Sequence, residues 1–257
     1  VIHPEDVARA IRPDTVLISI IYANNEVGTI QPLEEIGAIA QAHGIPLHTD
    51  AVQAGAYLDL NVQRLHVNAL SLSGHKFYAP KGVGLLYIRS GVPLFPQQTG
   101  GGHEHGRRAG TENVAGIVGL ATALQLAQAA RSDENARLVA LRDRLIAGVL
   151  AAVPDARLTG HPSHRLPHHA SFVLPEVDAG ALLMHLDLAG ICAASGSACN
   201  TGAAEPSGIL LAMGIDPALA RGALRLTLGR GTQAADIEYT LAVLPGIVQR
   251  LRSMRPV

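Results

Sequence analysis

The sequence predicts an α/β protein, with a mainly parallel sheet in a first domain and a smaller α/β domain after it. Three observations carry this expectation. An apolar run of strand length, broken only by Ser19, occurs at 16–22, the form taken by strands covered on both faces, and further strands are expected at 45–49, 69–73 and 83–89. A helical pattern lies between the first two, and alternation of strand and helix argues for a layered α/β sheet. After Ser132 the pattern changes to short strands set among longer helices.

In chain order, a short amphipathic helix covers 4–11, with Pro4 in its first turn. The chain opens Val1-Ile2-His3 without Met and runs straight into that helix, as a fragment beginning mid-fold would. The strand at 16–22 is apolar apart from Ser19, so a buried parallel strand is expected. The helix at 32–43 carries Leu33, Ile36, Ile39 and Ala40 at helical spacing, and Gly44 stops it. The strand at 45–49 leads into Asp50. Helices are expected at 111–130 and, after Arg131-Ser132-Asp133, to about Val153. Short strands follow at 170–174, 190–193 and 223–228, then a last helix over about 234–252. The domain boundary is placed near Ser132, giving domains 1–132 and 133–257.

Bulk properties narrow the function. The chain has 257 residues, 48% of them hydrophobic, enough for a large core in one or two domains. Its 20 basic and 21 acidic residues leave a formal charge of -1, with no basic block of the kind that binds nucleic acid or an anionic membrane. No apolar run has membrane-spanning length, and no secretory signal opens the chain. The two cysteines, Cys192 and Cys199, are too few for a disulfide framework and suit a reducing, cytoplasm-like compartment. The His- and Pro-rich loop 161–169 fits no standard zinc spacing, so no metal is expected.

Four constellations carry chemistry. The first is Ser73-Gly74-His75-Lys76 at a strand end. Only two of the basic residues are lysines, Lys76 and Lys81. A lysine that forms a Schiff base needs a fixed, partly dry position, and a strand terminus beside Gly supplies it. Ser73 and His75 can donate to a phosphate. A loop lysine with incidental neighbours is the plainer alternative. The second is His48-Thr49-Asp50-Ala51-Val52-Gln53. A carboxylate where a parallel strand opens into a crevice can hold a protonated pyridine nitrogen. Taken alone, Asp50 reads as a helix cap, but it precedes Lys76 by 26 residues and each follows its own strand. The third is the Gly- and Arg-rich stretch 100–114, a candidate anion loop that leads through Thr111 into a helix. The fourth is 194–202, where Cys199 lies among Ser, Gly, Ala, Asn and Thr. A lone Cys is most often buried and inert. Cys192, in the apolar 190–193 strand, fits that description, whereas Cys199 fits a reactive one.

Asn24-Asn25-Glu26-Val27-Gly28, the Asp50 motif, the Lys76 motif, Arg108-Ala109-Gly110-Thr111-Glu112-Asn113 and Ser195-Gly196-Ser197-Ala198-Cys199 follow one another in the order found in cysteine desulfurases. The chain resembles the NifS/IscS-like type of that family over essentially its whole length. The resemblance implies the aspartate aminotransferase-like fold of pyridoxal-phosphate enzymes, with an incomplete large domain and a small C-terminal domain. The earlier family segment, with its phosphate loop and ring-stacking His, is not found here.

The resemblance also implies roles. Lys76 would be the Schiff-base lysine, Asp50 the partner of the pyridine nitrogen, and Gln53 and Asn25 the neighbours of the phenolic oxygen. Ser73 and His75 would bind the cofactor phosphate, and Thr111 would complete that site in a partner subunit, making a homodimer. Arg225 would clamp the substrate carboxylate, with Asn25 beside it. A bidentate guanidinium suits that task. Cys199 would take sulfur from L-cysteine as a persulfide, with His75 or the cofactor receiving its proton, and alanine would be released. The sulfur would pass to acceptor proteins such as an iron–sulfur scaffold, where Cys199 could touch the cluster. The alternatives are another enzyme of the same fold, such as a selenocysteine lyase or an aminotransferase, and a catalytically incomplete fragment acting as a scaffold. The thiol discriminates, since a transaminase needs none.

Overall fold

The structure, a computed structural model, describes residues 1–196 and 206–254. Cys199 lies outside the described residues. The backbone forms two compact units, Val1–Ala23 with Gln31–Arg131 and Asn24–Ile30 with Ser132–Val257.

The first unit runs α1 (Pro4–Ala10), β1 (Ile18–Ile21), α2 (Leu33–Ala42), β2 (Leu47–Asp50), β3 (Ala69–Ser73), a 3-10 turn (Gly74–Phe77), β4 (Gly84–Ile88) and α3 (Val114–Ala129). The sheet order is β1-β2-β3-β4. β1, β2 and β3 are parallel, and β4 returns antiparallel to β3. The connections decide this. Parallel neighbours need a crossover of about a dozen residues or more, which α2 and the 51–68 segment supply. The link from β3 to β4 is too short for one and turns back. α2 turns Leu33, Ile36 and Ala40 inward. The sequence expectation of a fully buried strand at 16–22 is corrected at its start. Val16 is 81% exposed and Leu17 53%, because pairing begins only at Ile18 opposite Leu47 and β1 ends the row of strands.

The second unit contains α4 (Arg131–Ala152), β5 (Arg157–Leu158), β6 (His169–Val173), α5 (Ala179–Leu188), α6 (Gly208–Ala212), α7 (Pro217–Ala220), β7 (Ala223–Thr227) and α8 (Ala234–Ser253). Its sheet, β5-β6-β7, is antiparallel, and all five residues of β6 are buried. Val27 packs with Val173, Leu210, Ala220 and Ala223. Burying one such valine contributes roughly 1.5–3 kcal/mol, which holds the 24–30 turn in this unit although β1 precedes it and α2 follows.

The strand expected at 190–193 does not form. After α5 the Ile191 N–H returns to the Leu186 carbonyl at 2.9 Å, so it is not free to pair with a neighbouring strand. Among the described residues of this stretch, Ala194 pairs with β7 at Arg225. Cys192 is consequently exposed rather than buried in an apolar strand. Among the described residues no single helix is long and apolar enough to cross a membrane.

Candidate active-site residues

In the first unit the parallel register sets Asp50 opposite Ser71, and the Ala51 N–H donates to the Ser71 carbonyl at 3.0 Å. Asp50 and Ser73 therefore end adjacent strands on the same side of the sheet, the carboxyl end where α/β sheets take ligands. Asp50 Oδ1 accepts the Val52 N–H at 2.9 Å. Among the described residues its other oxygen has no hydrogen bond. Gln53 lies half-buried in the turn that follows.

The lysine turn is held from behind. Phe77 is 1% exposed, and a methyl placed on Gly55 would lie 2.7 Å from its ring. Only glycine at 55 lets the ring come this close, so Phe77 ties the 74–77 turn to the segment after Gln53. His75 and Lys76, ahead of that anchor, are exposed. Ser73 Oγ and His75 Nδ1 are 2.9 Å apart, a hydroxyl–imidazole pair with donors for an anion. Thr111 is exposed and sits three residues before α3, whose start is capped by Asn113 Oδ1 on the Gly116 N–H at 3.1 Å. This donor set fits pyridoxal phosphate: a carboxylate with an open oxygen, a primary amine beyond the next strand, and a hydroxyl–imidazole pair beside it.

In the second unit Asn25 and Arg225 come together. Arg225 stands on β7 opposite Ser171 of β6, and its Nη1 donates to the Asn25 carbonyl at 2.8 Å. His169 lies two residues before Ser171 and so on the same sheet face. Its Nε2 donates to the same carbonyl at 3.1 Å. The turn bearing Asn25 is fixed from within. Asn24 Oδ1 accepts the N–H groups of Glu26 at 2.8 Å and Val27 at 3.0 Å. Gly28, at φ +74, rests on the His169 ring, where a methyl would lie 2.7 Å from Nδ1. Glu26 is 7% exposed and accepts a hydrogen bond from Ser207 Oγ. A methyl on Gly196 would lie 3.2 Å from Ser207 Cβ and 3.6 Å from Glu26 Oε2. Gly196 and Ser207, which flank the 197–206 stretch containing Cys199, thus meet at one carboxylate.

The His-rich loop serves structure. His161 Nδ1 accepts the N–H groups of Ser163 at 3.2 Å and His164 at 2.9 Å. Arg165 is 3% exposed and donates to the carbonyls of His161, Thr159 and His169. Burial, with Arg142 nearby, lowers its pKa to about 10, so it stays charged at neutral pH.

Burial, then the neighbouring His169 and Arg142, push the His168 pKa down to about 3. Burial, opposed by the bond to Asn25 and aided by Arg165 and Arg225, holds His169 at about 3 as well. Both are neutral in the fold and protonate near 6.5 when unfolded. The unfolded chain thus binds more protons, and the stability present above pH 6.5 is lost as pH falls toward 3. Two such protons correspond to about 3 kcal/mol per pH unit at most. Denaturant unfolding from pH 7 to 5 should show this steep fall, and His168→Asn should remove close to half of the slope. A slope unchanged by that substitution would exclude His168 as its source.

Sequence reasoning singles out Asn25 and Arg225 but misses Glu26, Gly28 and His169. Glu26 and Gly28 lie inside the 24–28 motif and were within sight. His169 falls in the His- and Pro-rich 161–169 stretch, but that composition does not point to Asn25; its role arises from β6–β7 register.

The aminotransferase class-V family profile matches residues 1–240. The chain is 49% identical over 255 residues to a cysteine desulfurase IscS of Methanosarcina thermophila, covering 99% of this chain and 63% of that protein. It is 46% identical over 255 residues to a cysteine desulfurase IscS of Dictyoglomus turgidum, covering 99% of this chain and 65% of the relative. A solved structure described as a NifS-like protein superposes with a TM-score of 0.88 at 35% identity, over 97% of this chain and 65% of the other. The chain therefore spans just under two thirds of the length of these relatives.

Proposed function

The chain belongs to the aminotransferase class-V family, and on that footing we propose that it acts as a pyridoxal-phosphate-dependent cysteine desulfurase. One observation carries the reading. Asp50 and the Ser73–Lys76 turn end adjacent parallel strands, with a carboxylate oxygen and an amine open to a ligand. When bound, pyridoxal phosphate supplies an electron sink for bonds broken at the substrate carbons. Lys76 would hold it and, as a free amine, would take and return the substrate α-proton. Asp50 would accept from its ring nitrogen, and Ser73 and His75 would donate to its phosphate. Gln53 and Asn25 would face its phenolic side.

Arg225, steadied by its bond to the Asn25 carbonyl, receives the carboxylate of L-cysteine. Cys199, as a thiolate, attacks the substrate sulfur. The new S–S bond forms as the carbon–sulfur bond breaks. The electron pair stays with carbon, which takes up a proton and leaves as alanine. The sulfur remains on Cys199 as a persulfide. A free thiol titrates at about 8.5, so the thiolate must be promoted locally, with His75 or the cofactor taking its proton. Thr111, exposed ahead of α3, is the residue through which a homodimer would complete the phosphate site. The persulfide would serve sulfur acceptors such as an iron–sulfur scaffold in a cytoplasm-like compartment.

The test is direct. The protein, supplied with pyridoxal phosphate and L-cysteine, should release alanine in step with a thiol-reducible label on the protein. Alanine without protein-bound sulfur would favour a lyase. Neither product would leave the family fold without this activity.

A further inference from the structure

We propose that His169 is a positioning residue for the substrate carboxylate, acting through the backbone carbonyl of Asn25. The inference rests on the reading that Arg225 and Asn25 hold that carboxylate. A guanidinium on a flexible stem aims well only if part of it is already tied. Here one of its nitrogens is spent on the Asn25 carbonyl at 2.8 Å. Tying the arginine to a carbonyl helps only if the carbonyl itself is fixed, and His169 supplies that restraint. Its Nε2–H reaches the same oxygen at 3.1 Å, while Gly28 bears on its ring and keeps it from turning away.

Two further facts separate this role from simple filling. His169 is 2% exposed, and among the described residues its Nδ1 has no hydrogen-bond partner. An orphaned buried acceptor is costly, so an apolar side chain would serve packing better. What an apolar residue cannot supply is the N–H aimed at Asn25. The depressed pKa noted above keeps the imidazole in the neutral form, in which bonding to a carbonyl fixes the proton on Nε2. Register explains how the pair arises: His169 and Arg225 occupy one face of neighbouring strands, offset by two residue pairs, so both can converge on a turn lying over that face.

The experiment compares His169→Leu, which fills the space without a donor, with His169→Gln, which returns an N–H at similar reach. Arg225→Lys runs alongside. Steady-state rates with L-cysteine, cofactor absorbance and Tm are measured for each. His169→Leu should raise KM about tenfold, with kcat falling much less, full cofactor colour and a Tm no lower than wild type. His169→Gln should recover most of the KM. If Arg225→Lys raises KM while His169→Leu stays within twofold of wild type, the inference fails and the clamp reading stands. If neither variant changes KM, the clamp reading fails and the inference with it. If His169→Leu does not fold, the Nε2–H resonance of the wild-type protein decides. Slow exchange and a shift on saturation with L-alanine support the role, and an unshifted resonance overturns it.

Discussion

Replacing Lys76 with alanine is expected to abolish turnover of L-cysteine, by at least a thousandfold, equivalent to about 4 kcal/mol of transition-state stabilisation. The expectation follows from the turn. Its position is set by buried Phe77 against Gly55, not by the lysine, which is exposed. Alanine therefore removes the amine and leaves the turn standing, so Tm should change by only a degree or two. Asp50, Ser73 and His75 would still hold cofactor, but without a covalent tie. Borohydride reduction followed by peptide mapping checks this. In the wild-type protein the label should fall on Lys76, and in the variant it should disappear. With only two lysines in the chain, a label on Lys81 would assign the chemistry to the wrong residue and sink the proposal.

Cys199→Ser should separate the two halves of the reaction. On the proposed function, binding of cofactor and of cysteine would need Lys76, Asp50 and Arg225 but no thiol. Sulfur removal needs a nucleophile that takes the sulfur and keeps it. The variant should therefore retain cofactor colour and still change its spectrum on adding cysteine, yet form no protein persulfide. A hundredfold loss in alanine formation corresponds to about 2.7 kcal/mol, and a hydroxyl in place of a thiolate should cost at least that. Cys192→Ser is the control. Because Cys192 is exposed and outside any strand, it should cost neither stability nor turnover. Near-normal alanine formation by Cys199→Ser would make a thiol-independent lyase the better reading.

What the sequence made legible was whatever depends on local pattern. The 69–73 strand came through intact, and the long helices ending the chain fell within a residue or two of expectation, because strong periodicity dominates there. Asp50 and Lys76 could be placed at strand ends because parallel strands announce their carboxyl ends by polar residues after an apolar run. The failures share a cause. The start of 16–22 and the 190–193 stretch are apolar enough to be strands, but apolarity says nothing about whether a neighbour is there to pair with. Val16 and Leu17 precede the first pair, and Ile191 bonds back to α5 instead. His169 was invisible for the complementary reason: its meaning depends on Arg225, 56 positions away, through a register that no single-sequence pattern encodes.

The meeting of Gly196 and Ser207 at the Glu26 carboxylate sets a tether length. Cys199 is three residues from Gly196, and a chain spans at most about 3.3–3.6 Å per residue, so its Cα can lie no farther than roughly 11 Å from that anchor. The opposite limb, eight residues to Ser207, is never the limiting one. On the proposed function, a sulfur acceptor would therefore have to bring its own thiol or metal within a small sphere centred on the first stem. Lengthening the limb between Gly196 and Cys199 would enlarge that sphere by about 3.5 Å per inserted residue, whereas insertions after Cys199 would leave it unchanged. The donor's radius of delivery is thus encoded on one side of the cysteine alone.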